Sequence, residues 1–230
     1  MMKSLIHSLL ILLLFSISGK LVSQDVTVDY DHVYGLDPLL YNGKKYSYFL
    51  PPGTGGNQFI FSPDFFTGDI TIKGERFEGI TLNYDIYNQQ LLLKFADETG
   101  AFDIIEISKA WLESFRVGNM DFKYLSLADV PRFYQVLGNG PVFILYYWQK
   151  GLKLDVSYEA SNHTFTPPQK TRYVLKDNKL QPFSNKRSLI AVFDPGLKPE
   201  IKDYIHRNKI KLNKASDGTM TELINYIGNL

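Results

Sequence analysis

The stretch "GDITIKGERFEGITLNYDIYNQQLLLKF", residues 68–95, alternates apolar and polar side chains and decides the fold class. Alternation with a period of two, bounded by glycine and asparagine, is typical of half-buried antiparallel strands. It predicts three consecutive strands, with turns at residues 73–75 and 87–90. The side chains expected on the buried face are Ile70, Ile72, Ile80, Leu82, Tyr84, Ile86, Leu91, Leu93 and Phe95.

The same alternation continues toward the C-terminus, again with short glycine-containing turns. Gly118-Asn119 separates two alternating runs, and residues 138–140 (Gly-Asn-Gly) separate the next two. Connections this short require antiparallel neighbours, because parallel strands need long crossovers. The sequence therefore predicts an antiparallel β-meander, either a rolled sheet or sandwich-like.

The run "VFILYYWQ", residues 142–149, is apolar on both faces of the strand that it predicts. One face would carry Val142, Ile144, Tyr146 and Trp148, and the other Phe143, Leu145 and Tyr147. A strand that is apolar on both faces is usually covered on both sides. We expect the C-terminal tail to supply one of these covers.

The tail, residues 184–230, has the pattern of about three short helices. Ser184 can cap the first, Pro199 suits the first residue of the second, and Ser216 or Asp217 can cap the third. In the third, apolar residues recur at helical spacing: Met220, Leu223, Ile224 and Ile227. Strands followed by helices indicate an α+β fold, so we expect a β-rich domain at residues 25–183 with segment 184–230 docked on it.

The first 24 residues, "MMKSLIHSLLILLLFSISGKLVSQ", have the layout of a secretory signal peptide. An early cation precedes an apolar run that is short for a membrane span, and cleavage is expected near Ser23 or Gln24. The alternative is an uncleaved membrane anchor. Because the chain has no cysteine, it can form no disulfide and carries no lipid on an N-terminal cysteine. An exported protein without disulfides suggests a bacterial envelope, either the periplasm, the outer surface or the outside of the cell.

The charge balance argues against a nucleic-acid partner. The chain has 25 Lys and Arg against 24 Asp and Glu, and Lys3 and Lys20 would leave with the leader. Proteins that bind nucleic acid usually carry a basic excess to neutralise phosphates. No later segment is long and apolar enough to cross a membrane as one helix.

Four segments of the chain form a characteristic series: "GDITIKGERFEGITLNYDI", "IIEISKAWLESFRVGNMDFKYL", "RFYQVLGNGPVFILYYWQKG" and the ending "IKDYIHRNKIKL" followed by "LINYIGNL". In these segments the chain resembles a family of secreted proteins of unknown function that is common in Bacteroidota. The resemblance covers roughly residues 35–230, with Phe77 where a tyrosine is usual and Gln135 where the family has glutamate. It implies an exported envelope protein and carries over no activity.

No catalytic or cofactor motif is present. The chain lacks His-Glu-x-x-His, Gly-x-Ser-x-Gly and Gly-x-Gly-x-x-Gly, and the absence of cysteine excludes thiol catalysis and Cys-ligated metals. The glycine-rich stretch 51–59, "PPGTGGNQF", lacks the Lys-Ser/Thr pair of a phosphate loop. It indicates a turn between strands instead. We therefore expect neither a cofactor nor a bound metal.

Two groups of residues are candidates for binding. The aromatic residues Tyr146, Tyr147 and Trp148 could stack on sugar rings or anchor a protein, although β-sheet cores also collect aromatics through packing alone. The basic residues Lys198, Lys202 and His206 follow four-residue spacing on one predicted helix face. Such a face could meet anionic lipid headgroups or an acidic partner, or it could simply be solvated.

A cluster of acids near the mature N-terminus is the one weak indication of a metal. Asp25, Asp29 and Asp31 share one face of a predicted strand, with Asp37 nearby, and Ca²⁺ favours carboxylate oxygens. The alternative, a solvated acidic segment, is the reading we adopt.

Two functions remain after these considerations. The first is a non-catalytic envelope module, which would bind a protein or a surface polymer or serve a structural role. The second is a carboxylate-dependent hydrolase acting on a surface polymer, with acids that converge only in the fold. The acids to test for this second function are Asp85, Glu106 and Glu113.

Overall fold

The structure is a computed structural model that describes residues 36–97, 99–127, 130–156 and 161–230. Residues from Leu36 to Leu230 form one compact unit. The predicted signal peptide and the acidic residues Asp25, Asp29 and Asp31 lie outside the described residues.

Within the described part of the chain, thirteen strands precede three helices. The strands are β1 (Gly43–Lys45), β2 (Phe66–Ile72), β3 (Glu75–Asp85), β4 (Gln90–Ala96), β5 (Phe102–Ile107), β6 (Leu112–Val117), β7 (Met120–Leu127), β8 (Val130–Leu137), β9 (Val142–Gln149), β10 (Leu152–Val156), β11 (Ser161–Phe165), β12 (Gln169–Lys176) and β13 (Lys179–Phe183). The helices are α1 (Lys186–Ala191), α2 (Lys198–Arg207) and α3 (Asp217–Gly228).

Eleven of the described strands form one antiparallel sheet, in the order β1-β5-β4-β3-β2-β6-β7-β8-β9-β12-β13. Strands β10 and β11 form a separate hairpin. The predicted α+β class, with an antiparallel sheet followed by three helices, is confirmed. The order is not strictly sequential, however, because β1 pairs with β5, β2 with β6, and β9 with β12.

The sheet is rolled rather than flat. Strands β5 and β6 are joined by residues 108–111 alone, although β4, β3 and β2 lie between them in the sheet. Four strand spacings in a flat sheet would measure about 19 Å. A link of four residues spans about 17 Å even when fully extended. The sheet must therefore curl to bring β5 and β6 toward each other.

An aromatic cluster fills the inside of this roll. Tyr84 of β3 is fully buried, and its ring meets three phenylalanine rings edge-on at centroid distances of 5.1–5.5 Å: Phe115 of β6, Phe122 of β7 and Phe133 of β8. Each such pair stabilises by about 0.5–1.5 kcal/mol beyond the burial of its area. The predicted inward residues of β3 and β4 belong to the same cluster. The strands are not simply half-buried, however, because Asn83, Asp85 and Leu92 at the intervening positions are buried as well.

A second core lies between the sheet and the helices. Val142, Ile144 and Tyr146 of β9 pack with the buried residues of α3, while Leu145 and Tyr147 pack on the opposite face. This confirms that β9 is apolar on both faces and that the tail covers one of them.

The helix ends differ slightly from the prediction. Ser216 caps α3 as expected, since its hydroxyl accepts from the Thr219 amide. Asn185, rather than Ser184, caps α1, because it forms a reciprocal capping box with Ser188. Helix α2 begins at Lys198, so Pro199 is its second residue.

Candidate functional site

A groove of about 500 Å³ lies between α1 and α2, and we call it the helical groove. Two apolar residues and four cationic residues line it: Ile190, Ala191, Lys186, Arg187, Lys198 and Lys202. The groove thus combines apolar and positively charged lining residues.

The packing of each helix explains which side chains reach the groove. Ile201 and Ile205 of α2 are buried in the second core. Lys198 and Lys202, spaced four residues apart, share a different face of α2 and remain at the groove. In α1, Leu189 is fully buried, which leaves the flanking residues to line the groove.

The charge of the side chains that line the helical groove is positive. Within the residues that the structure describes, no salt bridge joins any of them to an acid. Three nearby acids are held by other groups: Asp203 by Arg207 at 2.8 Å, Asp194 by Lys176 at 2.9 Å, and Glu200 by the Tyr226 hydroxyl at 3.1 Å. Asp194 also interacts electrostatically with Lys198, so the positive charge of the groove is partly compensated.

The basic face predicted on α2 is only partly at this groove. Lys198 and Lys202 line it, whereas His206 is exposed on α2 and does not. Lys186 and Arg187 were missed, because they lie eleven or more residues before Lys198 and only tertiary packing brings them alongside. The Asn-Lys-Arg-Ser sequence of the α1 cap was their one local signal.

The three predicted aromatic residues do not form an exposed platform. Tyr146 and Tyr147 are 1% and 9% exposed, and they point to opposite faces of β9. The ammonium group of Lys170 lies 3.9 Å from the Tyr146 ring centroid and 5.0 Å from that of half-buried Trp148. A cation of the chain itself thus occupies the position that a ligand would need.

A hydrogen-bond network links Trp148 to the start of α3. The Trp148 indole N–H donates to Gln135 at 2.8 Å, and the Gln135 amide donates to Asp217 at 2.6 Å. Lys170 lies 3.5 Å from Asp217. Burial lowers the pKa of Lys170, and Asp217 opposes this shift. We interpret this network as structural, since it joins the sheet to the helix.

Asp85 is buried in a turn and fully engaged by donors. Its carboxylate accepts from the backbone amides of Tyr87 (3.0 Å) and Asn88 (2.8 Å), from the Asn88 side chain (2.8 Å) and from the Tyr46 hydroxyl (3.2 Å). Burial raises its pKa, and these hydrogen bonds oppose the increase. The carboxylate holds the turn after β3 together.

The other two candidate acids have separate partners. Glu106 pairs with Lys44 at 3.1 Å and accepts from Gln90 at 2.9 Å, while Glu113 accepts from the Gly74 amide at 2.9 Å. Among the described residues, the three candidate acids share no hydrogen-bond partner. Each of these three acids thus has its own structural partners, and no hydrogen bond or salt bridge among the described residues joins one of them to another.

Comparisons of this chain with family models, with curated proteins and with solved structures found no match. The part of the chain that the structure describes contains no group of three or more His, Asp or Glu arranged to hold a metal ion. Nor does any helix in that part have the length and hydrophobicity needed to span a bilayer. Membership in the secreted family of Bacteroidota stays a prediction.

Proposed function

We propose that this protein is an exported envelope module without catalytic activity that binds an acidic segment of a partner protein in the helical groove. The observation that carries the proposal is the set of four cations, none of them in a salt bridge within the described residues, that line the groove together with Ile190 and Ala191. Opposite charge at the rim of a site accelerates encounter and selects the partner, and apolar contact at its centre adds affinity.

The shape of the groove favours a polypeptide over a membrane surface. A bilayer is flat on the scale of two short helices, whereas this site is a groove lined by apolar as well as cationic residues. An extended segment can place carboxylates at the lysines and an apolar side chain at Ile190. We therefore expect acidic residues interspersed with leucine or valine in the partner.

Reversing two of the groove charges should abolish most of this binding. For the double variant Lys198→Glu/Lys202→Glu, we expect a fluorescently labelled peptide of alternating Glu and Leu to bind at least about tenfold more weakly, a loss of about 1.4 kcal/mol. Fluorescence anisotropy measures the affinity. Binding to the unchanged protein should weaken as salt is added, because the charges at the rim are exposed.

The matched control is Lys211→Glu/Lys214→Glu, which makes the same charge change at two exposed residues outside the groove. It should bind the peptide almost as well as the unchanged protein. An equal loss in both double variants would show that only net charge matters. Binding to vesicles with anionic headgroups, in the absence of peptide binding, would instead indicate a membrane-surface role.

Export is proposed from the leader sequence and has its own test. Terminal sequencing of the protein isolated from the cell envelope should begin near Gln24 or Asp25, since cleavage is expected after the apolar run. The cytoplasmic fraction of the same cells is the control. Recovery of an intact Met1 from the envelope would contradict cleavage and favour the membrane anchor.

A further inference from the structure

Strands β8 and β9 are neighbours in the sheet but are paired along only part of their length. Their register pairs are Gln135 with Tyr146, Val136 with Leu145, and Leu137 with Ile144. Strand β8 nevertheless starts at Val130, and β9 continues to Gln149. Residues 130–134 and 147–149 therefore border an opening between the two strands, which we call the seam.

The turn after β3 lies at this seam. The Gln89 side-chain amide donates to the backbone carbonyl of Trp148 at 2.9 Å, and its oxygen accepts from the Tyr84 hydroxyl at 2.7 Å. Gln89 thus forms a hydrogen bond with the backbone of β9 at a position where β9 does not pair with β8. The seam is bridged from inside the roll, but it is not closed by strand pairing.

A pocket of about 240 Å³ occupies the seam, and we call it the seam pocket. Gln89 lines it together with three aromatic rings and two cations: Tyr124, Phe133, Tyr147, Lys109 and Arg132. Its volume is below the roughly 300–1,000 Å³ of sites for drug-sized ligands. It therefore suits a ligand about the size of a single ring.

Both cations of the seam pocket lie over aromatic rings, and neither forms a salt bridge within the described residues. The Lys109 ammonium lies 5.6 Å from the Phe133 ring centroid, and the Arg132 guanidinium carbon lies 4.8 Å from that of Tyr147. Among the described residues, no salt bridge or hydrogen bond reaches either side-chain cation.

The surroundings of Lys109 disfavour its charged form. Burial lowers its pKa, Glu106 opposes that shift, and Lys44 adds to it. Withdrawing an ammonium group from water disfavours its charged form unless an anion compensates. An anion bound in the pocket would supply that compensation.

We propose that the seam pocket binds a small organic anion, a carboxylate carried on a single ring. The guanidinium fork of Arg132 matches carboxylate geometry, and Lys109 adds a second positive charge. The aromatic walls provide the faces on which a ring packs. The ring could be that of a sugar acid or that of an aromatic acid, and both share this chemistry. The site is separate from the helical groove and does not depend on the function proposed there.

Titration calorimetry on the full chain tests the proposal with two acids and their neutral counterparts. The probes are D-glucuronate and benzoate, compared with D-glucose and benzyl alcohol. We expect at least one acid to bind with a dissociation constant of about 1 mM or lower, and its neutral counterpart at least about tenfold more weakly. Glucuronate binding would identify a sugar acid as the ligand class, and benzoate binding an aromatic acid.

Lys109→Met removes one charge of the pocket and keeps most of the side-chain volume. It should weaken binding of the acid at least about tenfold. The melting temperature should not fall, because burial disfavours the charge that is lost and no salt bridge is broken. Lys94→Met is the matched control, since Lys94 also lies over a phenylalanine ring, that of Phe102 at 4.5 Å, but lies outside the pocket.

Two results would overturn the proposal. One is that neither acid binds at a concentration of about 10 mM, well above the expected dissociation constant. The other is that Lys94→Met weakens binding as much as Lys109→Met does, which would place the anion elsewhere or reduce the effect to net charge.

Discussion

Removing residues 215–230, which contain α3, should leave a protein that aggregates or melts far below the full-length chain. The helix buries four large apolar side chains against β9 and its neighbours: Met220, Leu223, Ile224 and Ile227. Each contributes roughly 1.5–3 kcal/mol, and typical net stabilities are about 5–15 kcal/mol. The truncation would also expose Ile144 and Tyr146, creating an apolar patch that promotes association. Circular dichroism melting and size-exclusion chromatography measure both effects.

A point variant distinguishes the effect of losing side-chain packing from the effect of removing the whole segment. Leu223→Ala should cost about 2–5 kcal/mol, because the side chain is fully buried. The adjacent exposed residue supplies the control, and Glu222→Ala should change the stability by no more than about 0.5 kcal/mol. If the truncated chain stays soluble and melts within about two degrees of the full-length protein, α3 does not support the sheet.

Replacing Tyr84 with alanine should be the most destabilising single substitution in the rolled part of the sheet. Its ring lies among Phe115, Phe122 and Phe133, which come from three different strands. Loss of a large buried aromatic side chain costs about 3–5 kcal/mol through lost burial and the cavity left behind. Chemical denaturation, read by the fluorescence of the two tryptophans, gives the free energy of unfolding.

Two controls distinguish the ring from its hydroxyl group and from aromatic residues in general. Tyr84→Phe keeps the ring and loses only the hydrogen bond to Gln89, so it should cost about 1 kcal/mol. Phe102→Ala removes a ring that is 70% exposed and should cost no more than about 0.5 kcal/mol. Equal stabilities of Tyr84→Ala and Tyr84→Phe would mean that the ring does not hold the roll together.

The two faces of β9 connect the stability of the protein to its candidate sites. Tyr146 packs toward the helices that carry the helical groove, whereas Tyr147 lines the seam pocket on the other side. The α3 truncation should therefore disturb the helical side directly. The seam pocket should respond more strongly to changes at Tyr84, because the Tyr84 hydroxyl holds Gln89 at the seam.

The sequence by itself determined the local elements of this protein. The alternation in residues 68–95 predicted which side chains of β3 and β4 join the core inside the roll, and the run at 142–149 predicted a strand with two apolar faces. The spacing of Met220, Leu223, Ile224 and Ile227 predicted α3 and its buried side. These predictions succeeded because the side chains of a strand or helix return to the same face every few residues. A short stretch of sequence therefore shows which face of the element is apolar and buried.

The tertiary structure alone decided the sheet order, the roll and both sites. No local pattern shows that β2 pairs with β6, because these strands are distant in sequence. Nor does any local pattern show that the pairing of β8 with β9 is limited to residues 135–137 of β8. Nor does any local pattern show that Lys170, which lies on β12 more than twenty residues away, covers the ring of Tyr146. Lys186 reaches the same groove as Lys202 only when both helices dock on the sheet. Periodicity reveals which face of an element is buried, but only the packed chain determines what that face meets.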